Sequence, residues 1–261
     1  MTIRIRAVAI LLMCMLTYPV YAQKLRRDQE QEIAVGVTGG MAFSRVSFLH
    51  NNSYRAAELG NQGFWPGYRF GGVFRYTNQN HFGVQLEVCY TQAGWKETFD
   101  ETSGIAMVND QNMQNVQLSR RLGYVEIPAL AHIYFGKKKV RFFVELGPKI
   151  CINTKYDDLE WNIPEGDARR SAILSDDPRL YDDHSKIDYG LCGGLGFDIL
   201  IGRCHAIISG RYSYDFKDIY GNEKADVFQR SNNQLINASL TFLWSVTKYT
   251  EKSRKLKKYN N

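Results

Sequence analysis

Connections of two lengths alternate along this chain, and that alternation restricts its fold more than any other feature. Strand-like stretches of period two are joined by long polar connections near residues 44–65, 96–117, 152–185 and 215–233. Short connections fall between them, near 78–80, 136–139 and 202–203. Four long and three short is the count for eight antiparallel strands whose hairpins are loose at one end and tight at the other. An eight-stranded up-and-down transmembrane β-barrel has this asymmetry, with short periplasmic turns and four long extracellular loops.

The stretches themselves carry the alternation of a sheet with two unlike faces. The first, 33–43, sets Ile33, Val35, Val37, Met41 and Phe43 against small residues such as Ala34, Gly36 and Gly40, which suit a crowded interior. In 67–77, Tyr68, Phe70, Phe74 and Tyr76 oppose Arg69, Val73, Arg75 and Thr77. In 82–91, Phe82, Val84, Leu86, Val88 and Tyr90 oppose Gln85, Glu87, Cys89 and Thr91. The pattern continues through 118–135, 140–150, 187–201, 204–214 and 234–246. Pro128 lacks a ladder donor, so a bulge or local break is expected there. The glycines at 190, 193, 194 and 196 call for close approach or sharp curvature.

Periodicity alone does not say which face is outside; the charges do. The polar face of the eight stretches carries Arg69, Arg75, Arg141, Lys149 and Arg211 together with Glu87, Glu126, Glu145, Asp188 and Asp198, five of each sign. In a narrow barrel filled by its own side chains, such a set neutralises itself as a structural charge network in the lumen. His132 and His205 read as structural lumen residues beside it. The apolar face is then left for lipid. Trp65, Tyr68, Tyr90, Tyr212 and Tyr214 fall towards the long-loop end, and Tyr76, Phe82, Phe135 and Phe142 towards the short-turn end, as two aromatic girdles would. Tyr and Phe number 16 and 14. A soluble periplasmic ligand-binding barrel is the opposing reading; it puts the apolar face inside and leaves two aromatic bands unexplained. A narrow solute or ion porin is the other alternative, although an open aqueous pore ordinarily needs more strands.

The ends fit export. Arg4 and Arg6 precede an apolar run from Ala7 to Leu16, too short to span a bilayer as a helix, and Val20-Tyr21-Ala22 offers small residues for cleavage. Residues 1–22 read as a signal peptide, 23–32 as an N-terminal segment, 33–246 as the barrel and 247–261 as a basic tail. A lipoprotein anchor at Cys14 is disfavoured by the bulky Met13. The formal charge of +6 falls to +4 without Arg4 and Arg6. The basic residues form no single stripe, so nucleic acid is not an expected partner. Cys89, Cys151, Cys192 and Cys204 match no zinc or CxxC spacing, and Cys151 and Cys204 are expected at opposite rims, too far apart to bond.

Candidate chemistry is sparse. Asp182-Asp183-His184, in the longest connection, has the groups to bind a metal or activate water, but adjacent residues rarely converge on one substrate. Asp157-Asp158-Leu159-Glu160 and Asp176-Asp177 read as solvated acidic loop rather than a cation site. The glycine run at 190–196 lacks the Lys and helix of a phosphate loop. Gly63-Phe64-Trp65 matches the GxW of soluble lipocalins but lies in a long connection. No catalytic residue, metal or cofactor is expected.

Several longer matches remain: Gly123-Tyr124-Val125-Glu126-Ile127-Pro128, Glu145-Leu146-Gly147-Pro148-Lys149, Asp188-Tyr189-Gly190 with Gly193-Gly194-Leu195-Gly196, Gly210-Arg211-Tyr212 leading to Asp218-Ile219, Arg230-Ser231-Asn232, and Leu240-Thr241-Phe242. On these the chain resembles the porin-family proteins of Bacteroidetes that carry the outer membrane protein β-barrel domain, the PorT-like group, over roughly residues 33–246. The resemblance implies an outer-membrane location and, for the namesake, a part in the type IX secretion of surface proteins. Expected partners are therefore membrane lipids, with secretion or envelope proteins reached through the loops and tail, and the barrel is expected to be a monomer. One departure is the basic tail, which follows Trp244 where such barrels often end on an aromatic strand.

Overall fold

The computed structural model describes residues 32–50, 60–79, 81–99, 107–108, 111–136, 139–170, 185–220 and 228–248. Eight long strands dominate it: β1 (Glu32–His50), β2 (Trp65–Gln79), β3 (Phe82–Phe99), β4 (Val116–Phe135), β5 (Val140–Tyr156), β6 (Ile187–Ile201), β7 (Cys204–Asp218) and β8 (Phe228–Lys248). Each pairs antiparallel with its neighbours in sequence, and β8 pairs with β1, so the sheet closes without an edge. A path through paired residues from Ile33 by Tyr76, Val84, Ala131, Leu146, Gly193, Tyr212 and Ile236 returns to Phe43, ten residues along β1. That stagger tilts the strands and leaves an interior just wide enough for side chains.

The short ends are held by local chemistry. Gly136 and Gly202 take φ of 115° and 65°, a region in which a Cβ is strained. At the first tight turn His81 also adopts positive φ, 75°. Its carbonyl accepts the Tyr134 N–H at 3.0 Å, and its Nδ1 lies 2.8 Å from the Tyr134 carbonyl oxygen.

The strands run further than their sequence predicts. β1 continues to His50, β3 to Phe99, β5 to Tyr156 and β7 to Asp218, so the first part of each expected long connection is wall. Glu32, assigned above to the N-terminal segment, is the first residue of β1. Of the two outcomes expected at Pro128, the structure shows the local break and not the bulge. Pairing of β4 with β5 is interrupted after Pro128↔Lys149 and resumes at Ala131↔Leu146 in unchanged register; the irregularity lies instead between Gly123 and Tyr124. Gly196 shows why its strand is glycine-rich: a Cβ there would sit 2.7 Å from the Phe143 ring and 2.2 Å from the Ile208 carbonyl oxygen.

The wall has opposite faces at its centre. Leu146 is 62% exposed and Phe242 60%, whereas Arg69 and Glu87 are 2% exposed. This inversion is the arrangement lipid demands, since hydrocarbon offers no partner to an ion. Paired aromatics mark both ends of the apolar band. Tyr68, Phe70 and Tyr90 cluster towards the long-loop end, as do Tyr189, Tyr214 and Phe216. Phe135, Phe142 and Phe197 cluster at the other. Tyr212 and Phe82 are exposed, and Tyr76 is half-buried. Trp65 is half-buried against Gly94 and shares a register position with buried Ser44.

Candidate functional site

Among the described residues the lumen holds the densest chemistry. Period-two alternation on six adjacent strands aims its charges at the axis. At its centre Glu87 accepts from Arg69 Nη2 at 2.5 Å and from Arg211 at 2.9 Å. Arg211 Nη2 also donates to Glu145 at 2.5 Å, and Glu145 lies 3.8 Å from His132 Nδ1. Towards the long-loop end, Glu126 accepts from Arg69 at 3.3 Å, Lys149 at 3.0 Å and Thr91 at 2.7 Å. Lys149 reaches on to Asp215 at 2.9 Å.

The chain of contacts also runs the other way. Gln85 donates to Glu87 and accepts from Arg75 at 2.7 Å. Arg75 donates to Asp198 at 3.3 Å. His205 bridges Asp198, 2.9 Å from Nδ1, and Glu32, 3.0 Å from Nε2. One connected network thus descends from Asp215 to Glu32. The bidentate Arg contacts are what allow ions to persist at such burial: each carboxylate keeps several donors, and desolvation is offset inside the cluster.

Eight of the ten lumen charges expected from sequence are joined in this network. The other two stand aside. Arg141 is half-buried and lies over the Tyr134 ring at 4.8 Å, and Asp188 accepts backbone N–H groups of Tyr189 and Lys217. Asp215 and Glu32 are members that the sequence reading placed outside the strands. Their signal was available: Asp215 continues the inward series Arg211, Ser213 on β7.

Above the charges the interior changes character. Beyond Glu126 and Asp215, the inward positions carry Val46, Phe48, Trp95, Leu118, Leu122, Tyr220 and Leu235, all buried in one apolar cluster, with Glu97 and Arg120 buried at the same height and hydrogen-bonded to Gly60 and Tyr156. Phe48 meets Trp95 edge-to-face at 5.4 Å. Phe99, Met113, Val116 and Ile163 form a second cluster, joined to the first by Trp161. On this upper storey the outward positions are polar, including Ser47, Lys96, Ser119 and Arg121. The wall therefore reverses its inside and outside within single strands, as it must on leaving lipid for water.

Ser245 Oγ lies 3.4 Å from His205 Nε2, and His205 contacts Asp198, which is the order of a hydrolytic triad. Ser245 is only 1% exposed, and Glu32 contacts both Ser245 Oγ and Nε2, so no substrate reaches the serine. Cys89, Cys151 and Cys192 are buried free thiols, and Cys204 is half-buried and free at the short-turn end. Among the described residues no group of three or more His, Cys, Asp and Glu side chains is placed to hold a metal ion. Asp176-Asp177, Asp182-Asp183-His184, the signal segment 1–22 and the end of the basic tail lie outside the described residues.

The model of a family described as outer membrane protein beta-barrel domain matches residues 21–221. The chain belongs to that family. Membership of the outer membrane protein β-barrel family places the protein in the outer membrane, where the exposed apolar wall requires it to be. The PorT-like subgroup is a finer assignment than this match carries. Comparison with curated proteins finds no match. Among solved structures the barrel is similar to OprG from Pseudomonas aeruginosa, at 13% identity over 83% of this chain and 96% of that one, with a TM-score of 0.43. It is similar to Neisserial surface protein A at 13% identity over 81% and 97%, with a TM-score of 0.40. It is also similar to outer membrane protein AlkL at 10% identity over 90% and 97%, with a TM-score of 0.42.

Proposed function

We propose that this outer-membrane barrel is a closed, non-catalytic, monomeric protein that works by contact, through its extracellular connections and its basic tail. The doubly closed lumen carries the reading. An ion-paired layer fills the membrane section, and an apolar layer led by Trp95, Phe48 and Leu235 lies across the interior above it. The ions of the first layer are engaged with one another, and Glu97 and Arg120, the charges at the height of the second, are themselves buried, so among the described residues neither layer offers solutes a solvated route. A closed sheet has no edge strand to offer a second copy, which supports the monomer.

Through the resemblance to the PorT-like group, the contact role is an accessory one in type IX export of surface proteins. Two measurements test these statements separately. Reconstituted protein in planar bilayers gives no conductance steps at 1 M salt; discrete steps overturn the closed barrel. Deletion of the gene leaves surface-anchored cargo in the periplasm; undiminished surface display overturns the export role and leaves the closed barrel standing.

A further inference from the structure

The outer wall carries a one-sided cationic patch at the long-loop end. Lys96 on β3 pairs in register with Ser119, two residues from Arg121 on β4, so the two cations are diagonal neighbours on the outward face. Gly123 pairs with Lys155 on β5, which sets Lys155 diagonally beside Arg121. The Asn153 N–H donates to the Lys186 carbonyl oxygen at 2.9 Å, bringing Lys186 to the start of β6 next to that group. Lys217, at the end of β7, donates its backbone N–H to Asp188, two residues beyond Lys186. Five cations thus stand on or directly beside five successive strands at one rim.

Their surroundings are selective. Below them the outward wall turns apolar at Tyr90, Val125, Ile152, Ile187 and Tyr189. The Tyr90 hydroxyl reaches up to Gly123: a Cβ there would lie 2.7 Å from it and 2.9 Å from Lys155 Cβ. Carboxylates share the rim: Asp158 is exposed beyond Lys155, Asp218 after Lys217 accepts the Ser231 N–H, and two others pair with cations of the patch. Glu160 lies 3.4 Å from Arg121 and Asp157 3.1 Å from Lys155, both in exposed pairs of the kind that contributes little. Lys96, Lys186 and Lys217 have no carboxylate partner among the described residues. The opposite flank is sparser: Arg45 donates to Gln234 at 2.9 Å and lies over the Phe64 ring, its charge already engaged, and Arg230 on β8 is a single exposed cation.

We propose that this patch binds the phosphate-bearing headgroup of an outer-leaflet glycolipid of the lipid A type. The chemistry that fits is a phosphorylated sugar with acyl chains. The chains run down the apolar wall of β3–β6, and the phosphate meets ammonium and guanidinium groups at headgroup height. A soluble anion would gain nothing from the apolar surface directly beneath. The short-turn end faces the periplasm, so this rim belongs to the outer leaflet.

The test is native mass spectrometry of the full-length protein in detergent, titrated with monophosphoryl lipid A, with the same lipid dephosphorylated, and with inorganic phosphate. Each lysine near a charged surface is worth about 1 kcal/mol, roughly fivefold. The variant Lys96→Gln/Lys186→Gln/Lys217→Gln should therefore bind monophosphoryl lipid A about 100-fold more weakly at low salt. Its heat-modifiable migration on a detergent gel should be unchanged. The control Lys139→Gln/Arg203→Gln, at the opposite rim, should bind as the unmodified protein does. Equal binding of the dephosphorylated lipid, or of inorganic phosphate, by the unmodified protein overturns the proposal whether or not the triple variant folds. Undiminished lipid binding by a folded triple variant overturns it as well.

Discussion

Glu87 shows how one side chain governs its neighbourhood. It accepts from two guanidinium groups and from Gln85, at 2% exposure. Truncation leaves Arg69 and Arg211 facing one another with half their acceptors gone. We expect Glu87→Ala to cost about 3–5 kcal/mol, the usual loss when one partner of a buried ion pair is removed. Glu160→Ala, which removes an exposed partner of Arg121, should change stability by less than about 1 kcal/mol. Urea unfolding in lipid vesicles measures both, and similar losses would contradict the geometry. Outside the membrane section, Asp167 is held by side-chain and then backbone hydrogen bonds from Arg169, which bring its carboxyl down to about 2. A carboxylate whose folded value lies below the ordinary one, about 3.9, lends stability only above that ordinary value. The contribution is lost as pH falls through about 2. A carbon-detected NMR titration should find the Asp167 midpoint near 2, and Arg169→Gln should move it upward.

At the scale of the strand, the decisive fact is a reversal of phase. On β3 the lower half sends Val84, Leu86 and Val88 outward and Gln85, Glu87 and Cys89 inward. The upper half sends Gln92, Lys96 and Thr98 outward and Ala93, Trp95, Glu97 and Phe99 inward. Position therefore decides what a substitution costs. Leu86→Arg, amid the apolar band, should cost about 2–4 kcal/mol, while Ser119→Arg, on the upper wall, should cost about 0–1 kcal/mol. Folding yields into vesicles would separate the two, and equal yields would contradict the assigned boundary. The lower half of each strand was legible because its alternation sets lipid-facing residues against ions. The upper half was not. Without a change of register, polar residues move to the face that was apolar, and an unbroken strand reads as a strand followed by a polar connection. Trp95 and Asp215 were lost in that way, although both obey the inward parity of their strands.

For the whole molecule, loop asymmetry and charge placement were enough to give strand number, closure and the inverted faces. The way the charges combine was not in the sequence. Arg69, Glu126 and Lys149 share a cluster because register sets Arg69 opposite Thr91, Thr91 opposite Tyr124, and Pro128 opposite Lys149. Alternation names a face and leaves the height along it open; the ten-residue stagger fixes the height. The basic rim was equally hidden, since Lys96, Arg121, Lys155, Lys186 and Lys217 are scattered over more than a hundred positions.

The seam between β1 and β8 sets Glu32 against Lys248 and runs to His50 against Phe228. The first wall segment to leave the ribosome therefore has to wait for the last before its outer hydrogen-bonding side is satisfied. Partial chains present two open ribbons, and pairing between residues two hundred positions apart is slow without help. Closure is consequently a late step of biogenesis, since a chain lacking its final ribbon leaves one side of β1 and of β7 without a partner.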